Sequence, residues 1–290
     1  MVSGGLVRTP DFAGSWYPSQ EAAVRRQIDE FRAQAQPRAG QGTPLRGGVV
    51  PHAGWMFSGR IAFEVLWALQ QSGCTPAVIA IFGKHMSPRS RPTLMRRGAW
   101  RTPLGDLPIA DELATALAER FDFEEETAIR YEPDNTIELQ LPFVKALFPD
   151  AAILPVGAPP RADALELGQA VAELARARNL EMCAVGSTDL THYGPNYGFS
   201  PKGEGQAAER WVRDENDKAL IELLLGLDAA QAVDHARANR SACCVGAAAA
   251  ATAASKALGA TRGDLLSYAT SNDVRPGGSS FVGYAGIVFG

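Results

Sequence analysis

Three of the four histidines in the chain come just after apolar runs that have the composition of buried strands. His52 follows "GGVVP", His85 follows "AVIAIFGK", and His192 follows "MCAVGSTDLT". Because ligands of open α/β sheets gather outside the carboxyl ends of the strands, these imidazoles are candidates for metal binding or acid–base catalysis. A hydrogen-bonded structural histidine is the competing interpretation for each. His235, in "AVDHARA", is interpreted as a surface or capping residue.

A carboxylate lies three residues before one of these histidines in the polar segment "GSTDLTHYG". Asp189 can orient the imidazole of His192 or raise its basicity, as a general base requires. The alternative is a turn in which Asp189 accepts a backbone N–H. The spacing favours the functional interpretation.

Two adjacent cysteines precede an alanine-rich helical segment in "NRSACCVGAAAA". A thiolate at the start of a helix is favoured by the helix dipole and can bind a metal ion. Taken alone, Cys243 and Cys244 are better explained as small core residues. Other chemistries have little support, since the chain lacks GxGxxG, P-loop, CxxC and GxSxG motifs.

The elements that would position these residues alternate along the chain. Buried strands are predicted at residues 47–51, 77–83, 151–157, 182–188, 264–271 and 281–289. Helices are predicted at 19–34, with Ser19 as N-cap, and at about 59–71, 110–121, 136–147, 161–178, 203–224, 228–238 and 243–258. Residues 35–48 are predicted to be a loop. This alternation predicts an α/β fold in a single domain over residues 1–290, with a central sheet flanked by helices.

The composition is that of an ordinary globular protein, with 46% hydrophobic and 21% charged residues and a net charge of −4. We therefore expect no nucleic-acid partner, and the absence of a long apolar run predicts no membrane segment. The four cysteines lack the spacing of a disulfide framework, as is usual for proteins in a reducing compartment. A cytoplasmic location is therefore expected. A cluster of basic residues is interpreted as a solvated loop, with steering of an anionic substrate as the alternative. Its members are Lys84, Arg89, Arg91, Arg96, Arg97 and Arg101.

The motifs, taken in order, resemble the Memo family, which in prokaryotes is also called protein B of the AmmeMemoRadiSam system. The matching segments are "VRTPDFAGSWYP", "VPHAGWMFSG", "AWRTPLGDL", "DNTIELQLPF", "LPVGA", "STDLTHYG", "SACCVG" and "SYATSNDV…SSFVGYAG". The resemblance covers nearly the whole chain. It implies a fold similar to that of class III extradiol dioxygenases.

The resemblance also implies a metal pocket. By position in the motifs, His52, His85 and Cys243 match the metal ligands, with Cys244 as the alternative if the alignment shifts by one residue. His192 matches the catalytic histidine of the related dioxygenases, and Asp189 is its neighbour in the pocket.

Two departures from the family pattern affect these expectations. Asn135 stands where the family usually has histidine, which removes a titratable group but keeps a hydrogen-bonding side chain. The loop "GKHMS" is one residue shorter than usual and places Lys84 beside His85, which is expected to put a cation near the cleft.

Two imidazoles and a thiolate, with positions left open for O₂ and substrate, suit non-haem Fe(II), and the same set suits copper or zinc. The leading hypothesis is a dioxygenase-like oxidoreductase acting on a small molecule. In this hypothesis His192 transfers a proton and Asp189 orients His192. Glu138 supports the site without contacting the metal. The alternatives are a metal-binding protein without turnover and an accessory protein in the modification of a macromolecule. The sequence does not indicate an oligomeric state.

Overall fold

Four short apolar segments form the parallel centre of one sheet in the computed structural model, which describes residues 7–35 and 44–290. In spatial order they are β2 (Gly47–Val50), β9 (Met182–Ser187), β3 (Val78–Gly83) and β8 (Ala152–Gly157). Almost every residue in these strands is buried, as expected for parallel strands covered on both faces. Their carboxyl ends meet at one edge of the sheet.

Further strands extend this centre on both sides, most of them antiparallel to their neighbours. The full order is β10-β12-β2-β9-β3-β8-β4-β7, with β11 paired to β12, and β1, β5 and β6 form a separate small sheet. The remaining strands are β1 (Val7–Arg8), β4 (Thr93–Met95), β5 (Ala99–Thr102), β6 (Gly105–Pro108), β7 (Glu124–Glu126), β10 (His192–Tyr193), β11 (Gly263–Thr270) and β12 (Phe281–Phe289). The large sheet is therefore mixed, and the C-terminal strand β12 pairs directly with β2 in its core.

Helices cover the sheet. They are α1 (Glu21–Gln34), α2 (Trp55–Gln71), α3 (Asp111–Ala118), α4 (Asn135–Glu138), α5 (Leu141–Leu147), α6 (Asp163–Ala177), α7 (Gln206–Trp211), α8 (Asp217–Leu225), α9 (Ala229–Asn239), α10 (Val245–Ala257) and α11 (Ser271–Val274). A π-helical turn, Val212–Asn216, joins α7 to α8. Among the described helices, none is long and apolar enough to cross a bilayer.

The alanine-rich segment is the buried helix α10, which packs between β9 and α6. A Cβ added at Gly186 would lie 2.6 Å from the Ala247 carbonyl oxygen, and one at Gly168 would lie 2.1 Å from that of Ala250. Both distances are too short for side-chain contact, so glycine lets β9 and α6 approach the helix closely. This packing holds the start of α10, with its two cysteines, against the edge where the parallel strands end.

The predicted fold class is confirmed, and all six predicted strands are present. Several helix boundaries were wrong. Ser19 is not the N-cap of α1, because Gln20 has an extended backbone and occupies the N-cap position, and the helix begins at Glu21. The helix predicted from residue 59 begins at Trp55, and the segments predicted at 136–147 and 203–224 are each interrupted. In the loop predicted at 35–48, residues 36–43 lie outside the described residues, and Gly47 begins β2.

Candidate metal centre

His52 lies two residues beyond the end of β2, and its backbone is fixed by two side chains. Its N–H donates to Asp189 Oδ1 at 2.7 Å, and its carbonyl accepts a hydrogen bond from Asn135 Nδ2 at 2.8 Å. The residue is only 2% exposed. Asn135 therefore positions His52 and also lines the adjoining cleft.

The His52 ring is oriented by Ser187, the last residue of β9. The Ser187 hydroxyl donates to the Thr136 carbonyl at 2.7 Å, so its single proton is committed there. Its oxygen, 3.1 Å from His52 Nδ1, must then accept a hydrogen bond from the protonated Nδ1. This leaves His52 Nε2 as the nitrogen available to a metal ion.

His85 is oriented in a similar way by Asp134, the N-cap of α4. Asp134 Oδ2 lies 3.0 Å from both the backbone nitrogen and Nδ1 of His85. The hydrogen bond between the Asp134 carboxylate and the His85 side chain raises the pKa of His85 to about 10. The preceding residue, Lys84, has φ of 73°, a left-handed conformation that turns the chain directly after β3. A carboxylate on Nδ1 presents Nε2 to the site, as in the carboxylate–histidine pairs of metal centres.

Both cysteines join the two histidines. Cys243 Sγ lies 3.3 Å from His52 Nε2, and ligand atoms of His52, His85, Cys243 and Cys244 all lie within 4.8 Å of one another. Although burial opposes it, the hydrogen bond from Cys244 and the charge of His52 lower the pKa of the Cys243 thiol well below its usual value. Burial, together with the neighbouring Cys243, raises the pKa of the Cys244 thiol. Cys243 is therefore the sulfur that more readily becomes a thiolate.

This donor set fits a transition-metal ion. Ligand atoms around a tetrahedral ion with bonds of about 2.0–2.3 Å are roughly 3.3–3.8 Å apart, and the His52–Cys243 pair already has that spacing. Small side-chain shifts would bring His85 within the same range. Imidazole and thiolate ligands suit iron, copper and zinc.

A cleft of about 590 Å³ opens beside the cluster, a size suited to a small molecule. His52, His85, Asn135 and Asp189 are among its lining residues. The other lining residues are Ser15, Trp16, Ala53, Gly54, Met56, Phe57, Tyr197, Ser271, Asn272, Arg275, Gly278, Ser280, Val282 and Tyr284. Metal bound by the two histidines would therefore face this space.

His192 lies outside the metal cluster and packs edge-on against Tyr197, with ring centroids 4.9 Å apart. Its Nδ1 is 3.2 Å from the Leu190 carbonyl oxygen, so Nδ1 carries the proton and Nε2 is free to act as a base. Tyr197 lines the cleft, whereas His192 is not among its described lining residues. Tyr197 is thus the contact between His192 and the wall of the cleft.

The expectation that Asp189 orients His192 has no hydrogen bond to support it in the described structure. Asp189 instead accepts the backbone N–H of His52, and its Oδ2 lies 4.0 Å from His52 Nε2. The reason is that the segment after β9 runs beside the end of the neighbouring β2. Burial raises the pKa of Asp189, and the nearby charge of His52 opposes this effect.

A second carboxylate, Asp217, holds the residue that precedes His192 through hydrogen bonds. It accepts hydrogen bonds from the Thr191 N–H at 3.0 Å, the Thr191 hydroxyl and the Tyr268 hydroxyl at 2.7 Å. Asn216, the preceding residue at the end of the π-helical turn, also donates to the Thr191 hydroxyl. Burial raises the pKa of Asp217 to about 6.

Replacement of Asp217 by asparagine is expected to change the pH dependence of stability. A raised pKa means that the folded state holds the proton more tightly, so this contribution to stability is present below about pH 4 and is lost as the pH rises through 6. The substituted amide does not titrate and can still hydrogen-bond the Tyr268 hydroxyl. The unfolding free energy of Asp217→Asn relative to wild type should therefore rise by about 2–3 kcal/mol between pH 4 and pH 7, measured by urea unfolding. A difference that stays constant with pH would contradict the assignment.

Glu138 does not face the cleft. It is 1% exposed and accepts the backbone N–H groups of Asp11 and Phe12 and the hydroxyl of Tyr17. These bonds hold the 11–17 turn, which contributes Ser15 and Trp16 to the cleft wall. Glu138 therefore supports this wall, and its expected contribution to catalysis stays a prediction.

Lys84 does not place a free cation in the cleft, contrary to expectation. Its Nζ pairs with Glu126 on β7, away from the described cleft-lining residues. Three other members of the basic cluster, Arg91, Arg96 and Arg101, are also paired with carboxylates. The cluster is therefore largely neutralised. His235 lies inside α9 and is half-buried, so it is neither a capping residue nor fully at the surface.

Ser187 was missed in the sequence because a strand serine has no distinctive signal. Ser187→Ala is expected to weaken metal binding about 10- to 100-fold, since His52 loses the group that fixes its tautomer. The affinity for Zn²⁺ can be measured by competition with a chelator. Thr252→Ala is a matched control, because this buried hydroxyl donates to the Ala248 carbonyl within α10. Equal Zn²⁺ affinities for Ser187→Ala and wild type would show that Ser187 does not orient His52.

The comparisons with known proteins agree with this architecture. The family model described as "Memo-like protein" matches residues 8–288. The chain belongs to the Memo family. This Memo-family chain is 36% identical to a MEMO1 family protein of Methanopyrus kandleri, over 98% of this chain and 99% of that protein. It is 32% identical to a MEMO1 family protein of Methanothermobacter thermautotrophicus, over 97% and 99%.

The Memo-family fold also resembles a solved structure with little sequence similarity. An uncharacterized protein from Escherichia coli K12 superposes with a TM-score of 0.51 at 12% identity, covering 85% of this chain and 100% of that chain. At this identity the likeness concerns the fold alone.

Proposed function

We propose that the chain is a metal-dependent oxidoreductase, similar to the non-haem Fe(II) dioxygenases, that acts on a small molecule in the cleft. The observation that carries this proposal is the position of the cluster. His52 and His85 line a space of about 590 Å³, and the Cys243 sulfur lies 3.3 Å from His52 Nε2. A metal held by these three side chains would have coordination positions open to the cleft.

Iron is the metal that we propose for this site. Two imidazoles and one anionic ligand would leave positions free for O₂ and substrate, as in non-haem iron oxygenases, although a thiolate here takes the place of their carboxylate. A bound Fe(II) would supply the electron-transfer chemistry needed to activate O₂. Copper and zinc suit the same ligands. We place the activity in the cytoplasm, where the four cysteines would stay reduced.

The surrounding side chains would position and protonate the reactants. His192, with Nδ1 held by the Leu190 carbonyl, would move a proton through Nε2 beside Tyr197. Asp189 and Asn135 would keep the backbone of His52 in place. Glu138 would hold the turn that carries Trp16.

One observation favours a second candidate function. Cys244 lies in the same cluster, and two histidines with two cysteines form the closed tetrahedral set of structural zinc sites. A site of this kind would bind metal without turnover. The chain would then serve metal homeostasis or recognition of a partner.

Anaerobic purification, elemental analysis and O₂ uptake distinguish the two. We expect stoichiometric iron after anaerobic loading, and O₂ consumption with at least one member of a panel of phenolic and other small molecules. Metal-free protein provides the control, since its O₂ uptake should not exceed background. Stoichiometric zinc without O₂ consumption under any loading would instead support the metal-binding function.

A further inference from the structure

Three of the residues that line the cleft are large apolar side chains that are exposed to solvent. Trp16 is 41% exposed, Met56 53% and Tyr197 38%. Phe57 and Tyr284 extend the same walls. Exposed apolar surface of this kind, gathered in one concave site, typically contacts an apolar or aromatic ligand.

Arg275 lies among these apolar residues without an acidic partner. Its guanidinium is 5.4 Å from the centre of the Phe57 ring, and Nη2 contacts Met56 Sδ at 3.4 Å. Across residues 7–35 and 44–290, no carboxylate forms an ion pair with it. The nearest acidic residue in sequence, Asp273, is paired with Arg213 instead.

The charged side chains that line the cleft form two groups. One consists of His52, His85 and the buried Asp189, which already accepts the His52 N–H. The other is Arg275, the one arginine or lysine among the described lining residues, and its planar set of N–H donors has no oxygen acceptor in the described structure. This donor geometry matches a carboxylate, which guanidinium groups bind through two parallel hydrogen bonds.

We propose that the cleft binds a small organic acid, with its carboxylate on Arg275 and its apolar or aromatic body between Trp16 and Tyr197. This inference rests on the proposed function in taking the cleft as the substrate site, and it adds the chemical class of the substrate. The apolar walls favour a ring or short hydrocarbon body, and the unpaired guanidinium favours a negative charge at one end.

Binding of simple acids and their neutral amides tests the proposal. The probes are benzoate, phenylacetate and 3-phenylpropionate, each compared with its amide by calorimetry without O₂. We expect at least one acid to bind more tightly than its amide. Arg275→Gln should weaken that acid about tenfold and leave the amide unchanged. Arg89→Gln, which removes an exposed arginine outside the described cleft lining, should change neither.

The metal state separates this proposal from the proposed function. The effect of Arg275→Gln should be present both in protein loaded with Zn²⁺ and in chelator-treated protein. An acid that loses affinity on metal removal but not in Arg275→Gln would bind the metal alone and would overturn the inference. So would a panel in which no acid binds more tightly than its amide. Neither result depends on O₂ consumption, so failure of the oxidoreductase proposal would leave this test valid.

Discussion

His192→Ala is expected to lower the turnover rate by about 10²–10⁴-fold while leaving the metal content unchanged. The imidazole is outside the cluster formed by His52, His85 and the two cysteines, so its loss removes no candidate ligand. Its Nε2 is the free base nitrogen, because Nδ1 donates to the Leu190 carbonyl. Steady-state O₂ uptake with an active substrate, paired with elemental analysis, measures both quantities.

His235→Ala provides the control for removing a histidine from this chain. His235 lies in α9, where its Nδ1 contacts the Asn239 side chain, and it is not part of the metal cluster or the described cleft lining. The turnover rate and metal content of His235→Ala should both match those of the wild-type protein. If His192→Ala kept full activity, proton transfer through this residue would be disproved. If it lost metal as well, its role would be structural.

The central fold could be predicted because parallel strands buried on both faces leave a simple signal. Residues 78–83 and 182–187 are short runs dominated by apolar residues and followed by polar turn segments. The peripheral strands lack such a signal. β7 consists of three glutamates, which have low strand propensity, and it forms through parallel pairing with β4. Tertiary contacts override local preference there.

The convergence of His52, His85 and Cys243 could be predicted from strand ends and family motifs, but their supporting contacts could not. Ser187 and Asp134 act on histidines 135 and 49 residues away in sequence. Lys84 and Glu126 are likewise distant in sequence, although they form an ion pair. For this reason the position of Lys84 next to His85 in sequence led to the wrong location for the lysine charge. Such partners are determined by the register of neighbouring strands, which a single sequence does not specify.

His52→Ala should reduce metal affinity by more than about 100-fold, a larger effect than the loss of a supporting hydrogen bond. The alanine keeps both backbone hydrogen bonds at this position, to Asp189 and from Asn135, so the turn after β2 should retain its path. The loss would therefore report the imidazole itself. Elemental analysis after anaerobic purification, followed by Zn²⁺ titration, measures the change.

The geometry also predicts which of the two histidines contributes more to the metal affinity. His52 is buried and touches Cys243, whereas His85 is half exposed and reaches the cluster from the loop after β3. A buried ligand is held rigidly by its surroundings, so its removal cannot be compensated by a small movement, while an exposed loop can adjust. His52→Ala should therefore lose more metal than His85→Ala, with His235→Ala unchanged. Equal metal content in His52→Ala and wild type would mean that the ion binds elsewhere, and the cleft would no longer be the place where its chemistry occurs.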